Sequence, residues 1–180
     1  MNRFNNATFT LLGLIFLVAA LRITHVLPNN FAPITALCLL GSAYFTRRWM
    51  AFVFPAAIML VSDFALGFDS AISTFGVYFS YFLIVIMGFA LTNSVKASRV
   101  LGITISSSFL FFVVTNFICW MGNPIYSQDF SGLIFNYVGA IPFFRSSFIS
   151  DIFFSGLFFA AFEFIKIKFP KFAAVPNSKK

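Results

Sequence analysis

Long apolar segments separated by short polar breaks run through most of the chain. A helix that crosses a bilayer needs about 20 largely apolar residues. Charged or turn-forming residues interrupt the pattern where such helices should end, as at LPNN (27–30), TRR (46–48) and NSVKASR (93–99). The pattern predicts six spanning helices, at about 8–27, 31–46, 49–67, 74–92, 99–121 and 147–167.

A longer connection, residues 122–146, separates the fifth and sixth predicted spans. It reads GNPIYSQDFSGLIFNYVGAIPFFRS and is apolar in the middle, but Gly132, Gly139 and Pro142 interrupt it. We expect an interfacial or re-entrant segment that acts as a lid over a cavity on the outer side. No linker separates two folding units, so residues 1–180 are predicted to form a single integral membrane domain.

Composition and charge support a membrane protein. The chain is 60% hydrophobic and 9% charged, whereas soluble domains carry about 25% charged residues. With the N-terminus inside, ten Lys and Arg residues lie on the cytoplasmic side and only Arg22 and Arg145 lie near the outer side. This bias predicts an all-α bundle of six transmembrane helices in a bacterial plasma membrane, with both termini cytoplasmic. The net charge of +7 is explained by this orientation and gives no reason to expect nucleic-acid binding.

Most polar residues inside the predicted spans lie toward the outer face. Ionisable groups inside a membrane are rare and mark functional sites or ion pairs. In one interpretation, Asp63 and Asp151 form ion pairs with the two outer arginines and only join helices. In the other, these groups line an outward-facing pocket for a polar ligand. The candidate substrate-binding residues are Arg22, His25, Asp63, Tyr81, Asn116, Trp120, Arg145 and Asp151.

Other chemistry finds little support in the sequence. There is no Walker A, HExxH, GxSxG or CxxC pattern, and Cys38 and Cys119 lie in apolar segments. We therefore expect no catalytic residues, no metal site and no bound cofactor. The inner half of the predicted bundle is almost wholly apolar, which favours a cavity that opens to one side over a continuous pore. Glu163, near the inner end of the sixth span, is expected to pair with Lys166 or to snorkel.

Three blocks of the chain carry a family resemblance. The blocks PNNFAPITALCLLGSAYFTRRW, VSDFALGF and VTNFICW, the last followed by YSQDFSGLIFNYVGAIPFFRSSFISD, resemble a bacterial family of six-span membrane proteins. That family is similar to the S-components of energy-coupling-factor vitamin transporters, and the likeness covers roughly residues 20–163. It implies a substrate pocket at the outer side, roofed by loops, with both termini inside.

The branch that looks closest is the solitary S-component-like transporter of vitamin B12. The likeness implies His25, Asp63, Tyr81 and Arg145 as substrate-binding residues and cobalamin or another corrinoid as the substrate. The cysteine of that branch has no counterpart in TFGVYFSY (74–81). Because a thiolate is a soft metal ligand, its absence leaves two alternatives: a cobalt contact from His25, or a different substrate.

The expected partners are the lipid bilayer and a small-molecule substrate. S-components that dock on an energising module often carry an A-x-x-x-A face on their first span. That pair is missing from the first span here, and Ala32 to Ala36 lies at the outer end of the second. Docking would therefore use another surface, or the protein would act alone. The alternatives to transport are a non-transporting scaffold or assembly protein and an intramembrane enzyme that modifies its ligand.

Overall fold

A computed structural model of the protein describes residues 17–24, 26, 28 and 30–168. Every regular element within these residues is helical. The helices are α1 (17–23), α2 (Ile34–Tyr44), α3 (Arg48–Leu66), α4 (Ala71–Gly88), α5 (Ala97–Gly122) and α6 (Phe130–Lys168), with a 3₁₀ helix at Phe89–Leu91 after α4.

Four helices, α3 to α6, are long and apolar enough to cross a membrane. Large apolar side chains on these helices are exposed, among them Phe64 at 77% and Phe135 at 72%. Soluble monomers rarely expose apolar surface on this scale, whereas lipid tails cover it at no penalty. The prediction of an all-helical fold is confirmed for the described residues, and four of these helices are candidates for membrane crossing. The predicted third, fourth and fifth spans match α3, α4 and α5 to within a few residues.

The second predicted span is shorter than the sequence suggested. α2 contains 11 residues and is therefore about 17 Å long at 1.5 Å per residue. It contacts α3, α4, α5 and α6, which places it in the centre of the bundle. The apolar core forms around it, with Cys38 and Leu39 of α2, Ile58 of α3 and Ile84 of α4 all fully buried. Most of the first predicted span lies outside the described residues.

The predicted start of the sixth span at residue 147 is wrong. Residues 130–146 form the first half of α6, which runs without a break for 39 residues. Asp129 caps the helix, because its carboxylate accepts the Gly132 backbone N–H at 2.7 Å. The hydroxyls of Ser127 and Ser131 donate to the same carboxylate. The Gly132 N–H and these hydroxyls hold the pKa of Asp129 below its ordinary value.

The first half of α6 packs along α5 instead of forming a separate lid. Asn136 donates its side-chain N–H to the Asn116 carbonyl at 3.0 Å, and the Tyr137 hydroxyl donates to the Val113 carbonyl at 2.7 Å. The ring of Phe144 lies 4.5 Å, centroid to centroid, from the ring of Phe112. α5 and α6 therefore form an antiparallel hairpin, and only residues 123–129 connect them.

α2 and α4 approach each other closely where a serine faces a glycine. The Ser42 hydroxyl donates to the Cys38 carbonyl at 2.7 Å and to the Val85 carbonyl of α4 at 2.9 Å. A Cβ atom added to Gly88 would lie 2.7 Å from both Cβ and Oγ of Ser42. The contact thus requires a residue without a side chain at position 88.

We predict that Gly88→Ala lowers the apparent Tm of the detergent-purified protein. The added methyl overpacks the helix contact, which costs about 1–3 kcal/mol, more than the gain of up to about 1 kcal/mol from replacing glycine in a helix. Gly156→Ala is the matched control, since an added Cβ there meets no atom within 4 Å. An apparent Tm for Gly88→Ala equal to that of the control would contradict the close packing of α2 on α4.

Candidate functional site

A cavity of about 310 Å³ lies at the end of the bundle where α3 ends and α4 begins. Its lining comes from α1, Pro28, residues 30–32, the first turn of α2, and parts of α3, α4, α5 and α6. The charged and aromatic lining residues central to its chemistry are Arg22, Asp63, Asp69, Tyr78, Tyr81 and Asp151. A cavity of this size and mixed lining is typical of a small-molecule site.

The short length of α2 explains why the cavity exists. Ile34 and Thr35, in the first turn of α2, line it. Thr35 donates its hydroxyl to Asp151, and Asp151 in turn accepts a hydrogen bond from Ser108, the twelfth of 26 residues in α5. α2 therefore begins at the middle of the bundle, and the space beyond its first turn holds the cavity rather than another turn of helix.

Arg22 and Asp63 form an ion pair in the cavity wall. Nη2 of Arg22 lies 3.2 Å from Oδ1 of Asp63, and the two side chains are 21% and 14% exposed. The second guanidinium nitrogen of Arg22 donates to the hydroxyl of Ser62, while the Tyr78 hydroxyl donates to Oδ2 of Asp63 at 2.9 Å. One carboxylate thereby joins α1, α3 and α4, and the first of the two expected ion pairs is present.

Two residues with left-handed backbone shape the cavity lining. Gly67, directly after α3, has φ 91°, and Asn30, in the segment before α2, has φ 61°. Both line the cavity. Glycine takes this conformation without steric penalty, and asparagine tolerates it better than most residues. Both positive-φ residues therefore lie at the bundle end that holds the cavity, beside Asp63 in its lining.

Asp151 lies deeper than the sequence suggested. It is only 5% exposed and accepts the Ser108 hydroxyl at 2.6 Å. The prediction that it sits at the outer start of the sixth span is wrong, because α6 begins at Phe130 and Asp151 is its twenty-second residue. In the described part of the chain no Lys or Arg forms an ion pair with it. The second expected pair, with Arg145, is therefore not formed.

The other candidate residues divide between the cavity and its surroundings. Tyr81 lines the cavity, and its ring lies 5.0 Å from that of Phe111. Arg145 is exposed on α6 and does not line the cavity. Asn116 and Trp120 also lie outside it: the Asn116 side chain donates to the Phe112 carbonyl at 2.7 Å, and the Trp120 indole N–H donates to a loop carbonyl at 3.0 Å. His25 falls outside the described residues.

Sequence reasoning missed Asp69 and Thr35, which line the cavity, and Ser108, which donates a hydrogen bond to the cavity residue Asp151. Asp69 falls between the third and fourth predicted spans and is not among the candidate residues, yet it is exposed and lines the cavity. Thr35 is the second residue of α2, and Ser108 lies in an apolar stretch of α5, where serine commonly bonds its own helix backbone. Their roles depend on meeting Asp151 across helices, which helical periodicity alone does not reveal.

A separate polar cluster lies at the opposite end of the bundle. Lys166 pairs with Glu163 at 2.9 Å, as the sequence predicted, and the Tyr44 hydroxyl donates to the same carboxylate. This cluster joins the end of α2 to the end of α6 and does not contact the cavity. Within the described residues no group of three or more His, Cys, Asp or Glu side chains is placed to hold a metal ion.

The comparison with known families places the chain in one of them. The family described as "Family of unknown function (DUF6580)" matches residues 2–172. The chain belongs to this family. No curated protein and no solved structure matches the chain significantly. The DUF6580 match includes all the helices that line the cavity, so the cavity lies entirely within the family domain.

For this DUF6580 protein we predict energetic coupling between Arg22 and Asp63. Asp63→Asn and Arg22→Met should each lower the apparent Tm, because each leaves a partly buried charge without its partner. The double variant should lose less stability than the sum of the losses in the two single variants. The difference is a coupling energy of about 1–3 kcal/mol. Asp69→Asn, at an exposed carboxylate, is the control and should stay near the wild-type value. Additive losses in the double variant would show that the pair does not stabilise the fold.

Proposed function

We propose that this protein is an S-component-like membrane transport protein that binds a small vitamin-type molecule in its cavity. The cavity of about 310 Å³ is the observation that supports the proposal. It places an ion pair, a buried carboxylate and aromatic rings around one space, in helices that are otherwise apolar. A protein that served only as a scaffold would need the ion pair but not the cavity, so the transport proposal accounts for more of the site.

The proposed topology has six crossings, both termini in the cytoplasm and the cavity facing outward in a bacterial plasma membrane. The positions of the basic residues support it. Arg48 begins α3, Lys96 and Arg99 flank the start of α5, and Lys166 and Lys168 end α6. All of these lie at the bundle end away from the cavity, which the positive-inside rule assigns to the cytoplasm. In this topology, α2 and the segment before it together make the second crossing.

The cavity volume limits the size of the substrate. About 310 Å³ lies at the lower end of the range for small-molecule sites, roughly 300–1,000 Å³. It suits a compact molecule of one or two rings. Cobalamin, the substrate implied by the family resemblance, is larger, so its binding would require Pro28 and residues 30–32 to move away from the cavity. The substrate candidates are therefore a compact vitamin-type molecule and a larger corrinoid. A contact from His25 to cobalt is the expected signature of the corrinoid.

The energy for transport would come from outside this chain. The sequence contains no Walker A phosphate-binding motif, so ATP would act through a partner or an ion gradient would drive uptake. The first predicted span lacks the A-x-x-x-A face on which S-components often dock. An energising module would accordingly contact a different helix, or the protein would transport its substrate alone.

Direct binding tests the proposal. We predict that the protein in lipid nanodiscs binds a small molecule, detected as a mass adduct by native mass spectrometry or by retention of cobalamin or thiamine in equilibrium dialysis. Thr74→Trp, which fills the cavity from the first turn of α4, should weaken binding at least tenfold. Ser98→Trp, at the exposed start of α5, is the control for adding the same side chain.

Two outcomes would count against the proposed function. If the folded wild-type protein carried no adduct and retained neither vitamin, the scaffold alternative would be favoured. If Thr74→Trp and Ser98→Trp bound equally well, the ligand would lie outside the cavity. Recovery of a chemically altered ligand after incubation would favour the enzyme alternative.

A further inference from the structure

The charge of the cavity is unbalanced. Its described lining holds three carboxylates, of Asp63, Asp69 and Asp151, against one guanidinium, of Arg22, a formal charge of −2. Arg22 is engaged by Asp63 in an ion pair. The remaining two carboxylates form no ion pair with any described residue. A cavity of this sign attracts positive and repels negative ligands.

Asp151 is the carboxylate that most needs a counter-charge. It is 5% exposed, in the middle of α6. Two hydroxyl groups, of Ser108 and Thr35, donate to it, but a hydroxyl carries no net charge. The N-terminus of α2 beside Thr35 contributes a partial positive charge of about one half. A carboxylate accepts about four hydrogen bonds, so Asp151 retains capacity for a cationic N–H donor from the cavity.

The neighbouring surface suits the body of an organic molecule. Tyr81 and Phe111 line the cavity and lie 5.0 Å apart, centroid to centroid, with an angle of 41° between the rings. Aromatic faces attract cations and cover apolar groups. The hydroxyl of Tyr78 already donates to Asp63, so that side of the wall is satisfied without a ligand.

We propose that the substrate is a small organic cation whose positively charged nitrogen lies at Asp151 and whose ring or aliphatic body lies against Tyr81 and Phe111. This inference rests on the proposed function, since it names the substrate class of the same cavity. Within the described residues, the three cavity carboxylates are not grouped so that they could hold a metal ion, which favours an organic cation. Asp69, exposed at the cavity, adds a second negative charge that attracts the cation from solution.

Three probes that share a phenethyl group and differ in charge test the inference: phenethylamine, a cation; phenethyl alcohol, which is neutral; and 3-phenylpropionate, an anion. Binding to the full-length protein in nanodiscs is measured by isothermal titration calorimetry. We expect the cation to bind at least tenfold more tightly than the neutral probe, and the anion to show no binding. Equal affinity of the cation and the neutral probe, or preference for the anion, would overturn the inference.

The substitution Asp151→Asn removes the negative charge but keeps the shape of the side chain. The asparagine keeps the volume and can still accept the Ser108 and Thr35 hydroxyls, so we expect at least a tenfold loss for phenethylamine and no loss for phenethyl alcohol. Asp129→Asn removes the same charge at the start of α6, outside the cavity, and should change neither affinity. An unchanged affinity of Asp151→Asn for phenethylamine would contradict the proposed contact.

A second variant covers the case in which Asp151→Asn fails to fold. Asp69→Asn, at an exposed position, should weaken phenethylamine binding two- to fivefold and leave phenethyl alcohol binding unchanged, whereas equal effects on both probes would contradict the role of charge.

The proposed function and the cationic substrate are overturned by different results. Binding of the neutral probe that Thr74→Trp abolishes, without preference for the cation, would retain the proposed function and remove the cationic substrate. Binding of no probe and no vitamin would remove both.

Discussion

Ionised side chains inside a bundle of apolar helices are stable only where a counter-charge, a hydrogen-bond donor or water meets them. In this protein Asp63 meets that requirement with Arg22 from α1 and Tyr78 from α4. The requirement therefore determines how three helices are placed relative to one another. It also places them at one end of the bundle, where the chain can leave a polar space open. The ion pair thus has a structural role and forms part of a cavity wall at the same time.

The cavity itself depends on the short central helix. α2 begins at Ile34, and its first turn contacts the buried carboxylate in the middle of α6. Farther along α2, small residues allow close packing, as where Ser42 faces Gly88 of α4. Because half a helix is absent from the centre of the bundle, the remaining space can be lined by side chains from the surrounding helices. The short α2 helix therefore accounts both for the close packing at the centre of the bundle and for the cavity beyond its first turn.

Several of these features were predictable from the sequence. The apolar segments and the breaks TRR and NSVKASR give α3, α4 and α5 to within a few residues, since charges and turn formers end membrane helices. The approach of Arg22 to Asp63 follows from their similar predicted depth. Tyr81, one of the candidate residues, lines the cavity.

The errors have one main source, the start of α6. Gly132, Gly139 and Pro142 suggested a broken segment, but membrane helices tolerate these residues, and α6 includes all three. The residue that marks the true start of α6 is Asp129, whose side chain caps the helix. Because the sixth helix was predicted to start at residue 147 and not at Phe130, Asp151 and Arg145 were assigned the wrong depth in the bundle. Asn116 and Trp120 share a face of α5, but periodicity could not tell that this face meets α6 and the loop rather than the cavity.

In the proposed topology the charged cavity faces the outside of the cell, and cysteine labelling measures this orientation. Cys38 and Cys119 would be replaced by alanine, and a single cysteine placed either at Thr74, in the cavity lining, or at Ser98, at the opposite end of the bundle. Our account predicts that a membrane-impermeant maleimide labels the Thr74→Cys protein in intact cells and the Ser98→Cys protein only after permeabilisation. Labelling of Ser98→Cys but not Thr74→Cys in intact cells would contradict it.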